Sequence, residues 1–277
     1  MKERNNSGQA LLIILLIMAV ALTIGLSVVS RSVTDIRISQ EQEESARVFS
    51  AAEAGLESLL ATGEAPGSVG DFKIDTGTKP IGDSETFVFP KEIRAGDTQT
   101  VWLVDHNEDG TLNLDSFKSF TDFEFHWGNE SLSGDEETAP ALEAVIIYKN
   151  SAGDYTTKRV AFDPKTGRSD GFTSVSDNNH LFGEKTFSFK AEFTEDDYTD
   201  SLPSGTLYAI RIKLLYNTNS QILGVKAEGD LLPLQGNCYT STAASETTGI
   251  ARKIEQCQLY PSLSGIFDYV LFSESSL

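Results

Sequence analysis

From Ala10 to Val29 the chain reads ALLIILLIMAVALTIGLSVV, twenty residues without one charged side chain. At 1.5 Å per residue, a helix of that length covers about 30 Å, the thickness of a bilayer's hydrocarbon core. Ahead of it stands MKERNNSGQ, in which Lys2 and Arg4 supply the positive charge that stays on the cytoplasmic side of a membrane. A transmembrane helix over residues 10–29 is the direct reading. A secretory signal peptide cut after Ser30 is the alternative, but its apolar stretch usually has about 7 to 15 residues.

The segment that follows, SRSVTDIRISQEQEESARVFSAAEAGLESLL, contains no proline and is rich in Ala, Glu, Arg, Ser and Leu. Its apolar residues Val33, Ile36, Val48, Phe49, Ala52, Leu56, Leu59 and Leu60 recur mostly at steps of three and four, the period of an amphipathic helix. No turn signal separates it from the membrane run. The sequence therefore predicts one continuous helix from Gln9 to about Ala61, about 80 Å long, stopped by Thr62-Gly63 and Pro66-Gly67. Half of such a helix lies in lipid. The other half must pack against a head domain, against copies of itself, or against both.

Three features resemble type IV pilins and pseudopilins: the short polar leader ending in Gly8, the apolar run that starts at once, and SARVFSAAEAGLESLL. Ala-Ala-Glu-Ala-Gly at residues 51–55 is most similar to the PilX-like minor pilins, and the likeness covers residues 1–62. The resemblance implies a leader of residues 1–8 removed by a prepilin peptidase between Gly8 and Gln9, with Gln9 then N-methylated. It implies a single-pass protein of the cytoplasmic membrane with its head outside the cytoplasm, moving to the cell surface in a pilus or into a secretion pseudopilus. The partners would be membrane lipid, other pilin subunits, the assembly machinery and the peptidase. Where the family usually carries Glu at the fifth mature position, to pair with a neighbour's N-terminal amine, this chain has Ile13. A buried amine without a carboxylate is costly, so the resemblance implies a minor or tip-type subunit. The rival reading is an uncleaved, signal-anchored surface protein with a binding or adhesive head.

Beyond Gly63 the helical pattern gives way to short β-branched and aromatic runs. They lie at 86–89, 100–104, 123–127, 144–148, 158–162, 187–193, 207–216, 222–227 and 267–272, separated by Gly, Asp and Asn. Such spacing predicts a sandwich or a large antiparallel sheet over residues 63–277, and hence an α+β fold: one long N-terminal helix and a β-rich head. Ile210–Leu214 alternates apolar with basic and Gln221–Ala227 follows a polar turn, which predicts a hairpin. The Gly-, Ser- and Asp-rich stretch 166–179 is the candidate internal break.

With 22 Lys+Arg against 41 Asp+Glu, the net charge is -19; loss of Lys2, Glu3 and Arg4 would make it -20. A surface this negative, with no basic stripe, excludes nucleic acid as a partner. Cys238 and Cys257 are the only cysteines. In a head outside the cytoplasm they are expected to form one disulfide, worth about 3 kcal/mol in the chain-entropy model; the other reading is two reduced core thiols.

Asp105, Asn107 and Asp109 with Gly110, followed by Asp115, resemble the front half of a calcium loop, although the twelfth position is Ser116. The second reading is an Asx/Gly turn between strands. No other cofactor is implied. The acidic runs 135–137 and 195–200 read as solvated loops. His106, His126 and His180 are far apart and form no metal-ligand motif, and no nucleophile elbow, Walker loop or dinucleotide fingerprint occurs, so no enzyme is expected. Trp102 and Trp127 fall in strand-like runs and are expected in the sheet core.

Overall fold

The computed structural model describes residues 7–107, 109–193 and 207–265. It is α+β, with one helix followed by mainly antiparallel sheets. The helix, α1, runs unbroken through Ser7–Thr62, 56 residues. Its stop is the predicted one: the Gly63 amide donates to the Leu59 carbonyl at 2.9 Å with φ +78°, a left-handed cap that glycine adopts without steric cost.

Sixteen strands follow among the described residues. They are β1 (Ser68–Val69), β2 (Phe72–Ile81), β3 (Thr86–Val88), β4 (Thr98–Trp102), β5 (Val104–His106), β6 (Leu112–Phe117), β7 (Asp122–Trp127) and β8 (Ala141–Lys149), then β9 (Tyr155–Asp163), β10 (Thr173–Ser174), β11 (Asp177–Phe182), β12 (Lys185–Phe193), β13 (Leu207–Leu215), β14 (Leu223–Glu228), β15 (Gly236–Ser245) and β16 (Ala251–Leu259). The predicted run at 267–272 and the acidic cluster 195–200 lie outside the described residues.

The chain divides into two compact units. The first contains residues up to Gly77 together with Tyr239–Gln256. Here the outer part of α1 packs on a four-stranded sheet of order β1-β2-β15-β16. Val48, Ala51, Ala52, Gly55, Leu56 and Leu59 are buried, a stripe at steps of three and four. Val48, Ala51 and Ala52 meet Ile74 of β2 and Ala243 of β15.

The approach is closest at Gly55, where an added Cβ would stand 2.7 Å from Ser241 Oγ and 2.8 Å from Ile74 Cγ2. Glycine at this position lets the helix backbone lie directly on the sheet. Polar contacts fix the rim: Ser245 Oγ donates to Glu44 Oε1 at 2.8 Å, and the Arg252 Nε donates to Ser45 Oγ at 2.9 Å.

The second unit, Thr78–Cys238 with Cys257 onward, holds a β-sandwich. One sheet has the order β10-β9-β8-β13-β4, the other β11-β12-β7-β14-β3. Alternate residues of both sheets meet in one core: Leu142, Ala144, Ile146, Ile210, Ile212 and Leu214 from the first, and Phe123, Phe125, Trp127, Phe189, Val225 and Ala227 from the second. Trp127 is fully buried and donates its Nε1 proton to the Pro140 carbonyl at 2.7 Å, so its one polar group is satisfied.

Two expectations are corrected here. Residues 210–227 do not form a hairpin. β13 pairs with β8 and β4, whereas β14 pairs with β7 and β3, so the connection crosses from one sheet to the other. Tyr216 breaks the strand at φ +70°, and Asn129 pins the crossing by donating to the Ser220 carbonyl at 3.1 Å and accepting from the Ile222 amide at 3.0 Å.

Nor do the units divide at 166–179. Arg168 anchors that stretch inside the sandwich unit. It donates to Asp163 Oδ1 at 2.8 Å and to the carbonyls of Glu137 and Ala139 at 2.7 and 3.0 Å, while its guanidinium lies 4.3 Å from the centre of the Tyr216 ring.

Candidate functional site

The inner half of α1 carries the most distinctive surface. Between Leu11 and Val29 the large apolar side chains stand 51–67% exposed, and no residue of the most apolar window is buried within the chain. The helix is long and apolar enough to cross a membrane, with a mean hydropathy of 3.0 over that window. One hydroxyl in the run is satisfied within the helix, as a membrane favours: Thr23 Oγ1 donates to the Val20 carbonyl at 2.8 Å.

Apolar exposure continues beyond the charge-free run. Val33, Ile36, Ile38 and Phe49 are 44–57% exposed, although Arg31, Asp35 and Arg37 stand among them. The amphipathic pattern thus splits. Val48 and Ala52 are packed on the sheet and Leu56 and Leu59 are buried, whereas Val33, Ile36 and Phe49 are exposed. Gly8 and Gln9 lie in the first turns of α1, and Ile13 is an exposed residue one turn later.

Cys238 and Cys257 are joined by a disulfide between β15 and β16, with their Cα atoms 3.9 Å apart. The bridge closes the hairpin whose turn is made by the Ser245 amide donating to the Ile250 carbonyl and the Gly249 amide donating to the Ser245 carbonyl, each at 2.9 Å.

The calcium-like residues are built into a different hairpin. Asp105 lies on β5 and faces Lys118 at 3.8 Å; Asp115 lies on β6. Between these strands the Asn107 amide donates to the Thr111 carbonyl at 2.8 Å, and Gly110 takes φ +81°. Asp109 Oδ1 accepts from the Thr111 hydroxyl at 2.6 Å and from its amide at 2.9 Å, bonds that hold its carboxyl below the usual range. Asn107 Nδ2 donates to Thr111 Oγ1 at 3.0 Å. Among the described residues, Asp105, Asp109 and Asp115 do not bring their oxygens within 4.8 Å of one another. The acidic run 135–137 is also engaged: Lys165 reaches the Glu137 carboxylate at 3.1 Å and the Asp135 carbonyl at 2.9 Å.

The sequence did not anticipate the meeting of two histidines. His126 on β7 and His180 on β11 are 54 residues apart, yet His126 Nδ1 and His180 Nε2 stand 2.7 Å apart. They meet because β12 lies between β11 and β7 and all three present one outer face. Gly224, opposite His126 on β14, leaves room for Phe182 to lie flat on the sheet; an added Cβ there would be 2.7 Å from that ring. Phe182 stacks on His126 at 3.8 Å between centroids. His126 is 2% exposed, and burial, then the neighbouring His180, lowers its pKa to about 4.

Glu124 Oε2 stands 3.3 Å from the other ring nitrogen, Nε2. Burial opposes the ionisation of Glu124, but Lys190 and Lys226, at 3.1 and 3.2 Å, outweigh it and hold the carboxyl below its usual range. The third histidine, His106, stacks on Tyr260 at 3.9 Å, and burial lowers its pKa.

No protein-family model, no curated protein and no solved structure matches this chain.

Proposed function

We propose that this protein is a structural subunit of a type IV pilus or related secretion pseudopilus, of the minor or tip type. In this reading residues 1–8 are a leader, α1 anchors the subunit in the cytoplasmic membrane and then packs in a filament, and the β-rich head is displayed outside the cytoplasm. The role is assembly and display through packing surfaces.

The observation that carries the reading is the distribution of apolar side chains along α1. A helix that served only as an anchor needs apolar exposure in the bilayer alone. Here Val33, Ile36, Ile38 and Phe49 remain exposed beyond the charge-free run, while the last turns are buried on a sheet. Uncovered apolar groups outside lipid favour association with further helices. The disulfide supports a head in an oxidising compartment. Ile13 in place of the usual Glu supports a position contacted on fewer sides than a shaft subunit.

The test is the intact mass and N-terminal sequence of the membrane-extracted protein from cells with and without an active prepilin peptidase. An N-terminus at Gln9, methylated or not, only when the peptidase is present is the expected result. An intact leader in both strains overturns the reading and leaves a signal-anchored surface protein. A start at Arg31 shows an ordinary signal peptide and a released head.

A further inference from the structure

The geometry points to a divalent transition-metal site of zinc type on the outer face of the sandwich, held by His126 Nδ1 and His180 Nε2 and oriented by Glu124. Two imidazole nitrogens already converge to 2.7 Å. Tetrahedral zinc with bonds of about 2.0–2.1 Å needs them about 3.3 Å apart, an opening of roughly 0.6 Å. The moving partner is placed to give. β11 is the edge strand of its sheet, and its register with β12 is irregular between Asp177 and His180. His126, by contrast, lies on the central strand β7, paired with Lys190 of β12 on one side and Gly224 of β14 on the other.

The carboxylate decides which nitrogen is available. The Glu124 carboxylate, 3.3 Å from the buried His126 Nε2 and not aligned as its hydrogen-bond acceptor, electrostatically favours the tautomer with the proton on Nε2, which leaves the Nδ1 lone pair toward His180. Metal-binding histidines characteristically have such a carboxylate behind them. On binding, His180 shifts its proton from Nε2 to Nδ1, a tautomer change with no net loss of protons.

The local charge permits a cation. Glu124, Glu192 and Glu228 face the ammoniums of Lys190 and Lys226, leaving one net negative charge. The histidines lie on the wall of an open cleft of about 780 Å³ that also includes Glu192 and Lys190. Among the described residues no third histidine, cysteine or carboxylate joins both nitrogens within 4.8 Å, so water or an external ligand completes the coordination.

The experiment uses the untagged full-length protein in detergent, titrated with Zn²⁺ by calorimetry and with Cu²⁺ by electron paramagnetic resonance. The expected result is one equivalent of each ion, with nitrogen coupling from two imidazoles in the copper spectrum. His180→Gln, at a half-buried edge position, is expected to lose one nitrogen and at least about tenfold in affinity, equivalent to 1.4 kcal/mol. Glu124→Gln should keep both nitrogens but lose about 10- to 100-fold, the usual effect of removing a supporting carboxylate. His106→Gln, on a different ring stack, should bind as the parent does. A wild-type copper spectrum without two-nitrogen coupling, or zinc affinity unchanged in His180→Gln, overturns the assignment.

Discussion

Replacing Gly55 with valine tests whether close packing or helix propensity governs the outer half of α1. On propensity alone the change is mildly favourable, since valine is better than glycine inside a helix by a few tenths of a kcal/mol. Packing argues the other way. The first added carbon would already stand 2.7 Å from Ser241 Oγ and 2.8 Å from Ile74 Cγ2, well inside ordinary contact. Neither neighbour yields easily: Ser241 is fully buried on β15, Ile74 is buried on β2, and isoleucine is stiff at χ1. Relief requires lifting the helix by roughly half an ångström to one ångström, and a gap of that size forfeits a quarter to a half of each dispersion contact along Val48, Ala52 and Leu56. Overpacking of this kind costs about 1–3 kcal/mol, so the net effect is a loss of roughly 1–3 kcal/mol.

Native-state hydrogen exchange of the Ser241 and Ala243 amides, on full-length protein in detergent, reads the opening of this unit directly. Combining Gly55→Val with Ile74→Ala should be less damaging than the sum of the two single changes, with a coupling of about 0.5–3 kcal/mol. Protection at these amides equal to or greater than in the parent would refute the reasoning, because propensity would then have prevailed.

Replacing both Cys238 and Cys257 with alanine should lower stability by about 3 kcal/mol, the entropy of a loop with a separation of 19, measured by chemical denaturation. Arg168→Ala should cost about 3–5 kcal/mol in the same assay, because it strands the buried Asp163 carboxylate, whose pKa burial already raises. His126 should stay neutral, with its imidazole carbon shifts unchanged, down to about pH 5. With a folded pKa near 4 and an unfolded value near 6.5, the folded form binds fewer protons in that window. Metal-free protein therefore loses stability as pH falls below about 6.5, by on the order of 3 kcal/mol in all near pH 4; titration of the ring near 6.5 in the folded state would contradict this.

Sequence alone determined the long helix and most strands of the sandwich, though not β10 and β11, which begin inside the stretch 166–179 read as a break. Twenty uncharged residues in a row, a three-and-four spacing without proline, and Thr62-Gly63 are local signals that no tertiary context overrides. The aromatic and β-branched runs at 123–127, 144–148 and 187–193 likewise fell on strands, because a pleated, half-buried sheet surface selects those residues. Three things were decided only in the folded chain. The sheet under α1 draws on residues 239–256, nearly two hundred positions away, through small and polar strands such as Gly236–Ser245 that carry no hydrophobic run to announce them. The apparent hairpin at 210–227 became a crossing between sheets, because pairing partners are chosen by distant strands and by side chains such as Asn129, not by the turn. His126 and His180 were brought together by strand order, a long-range property that spacing along one chain does not encode.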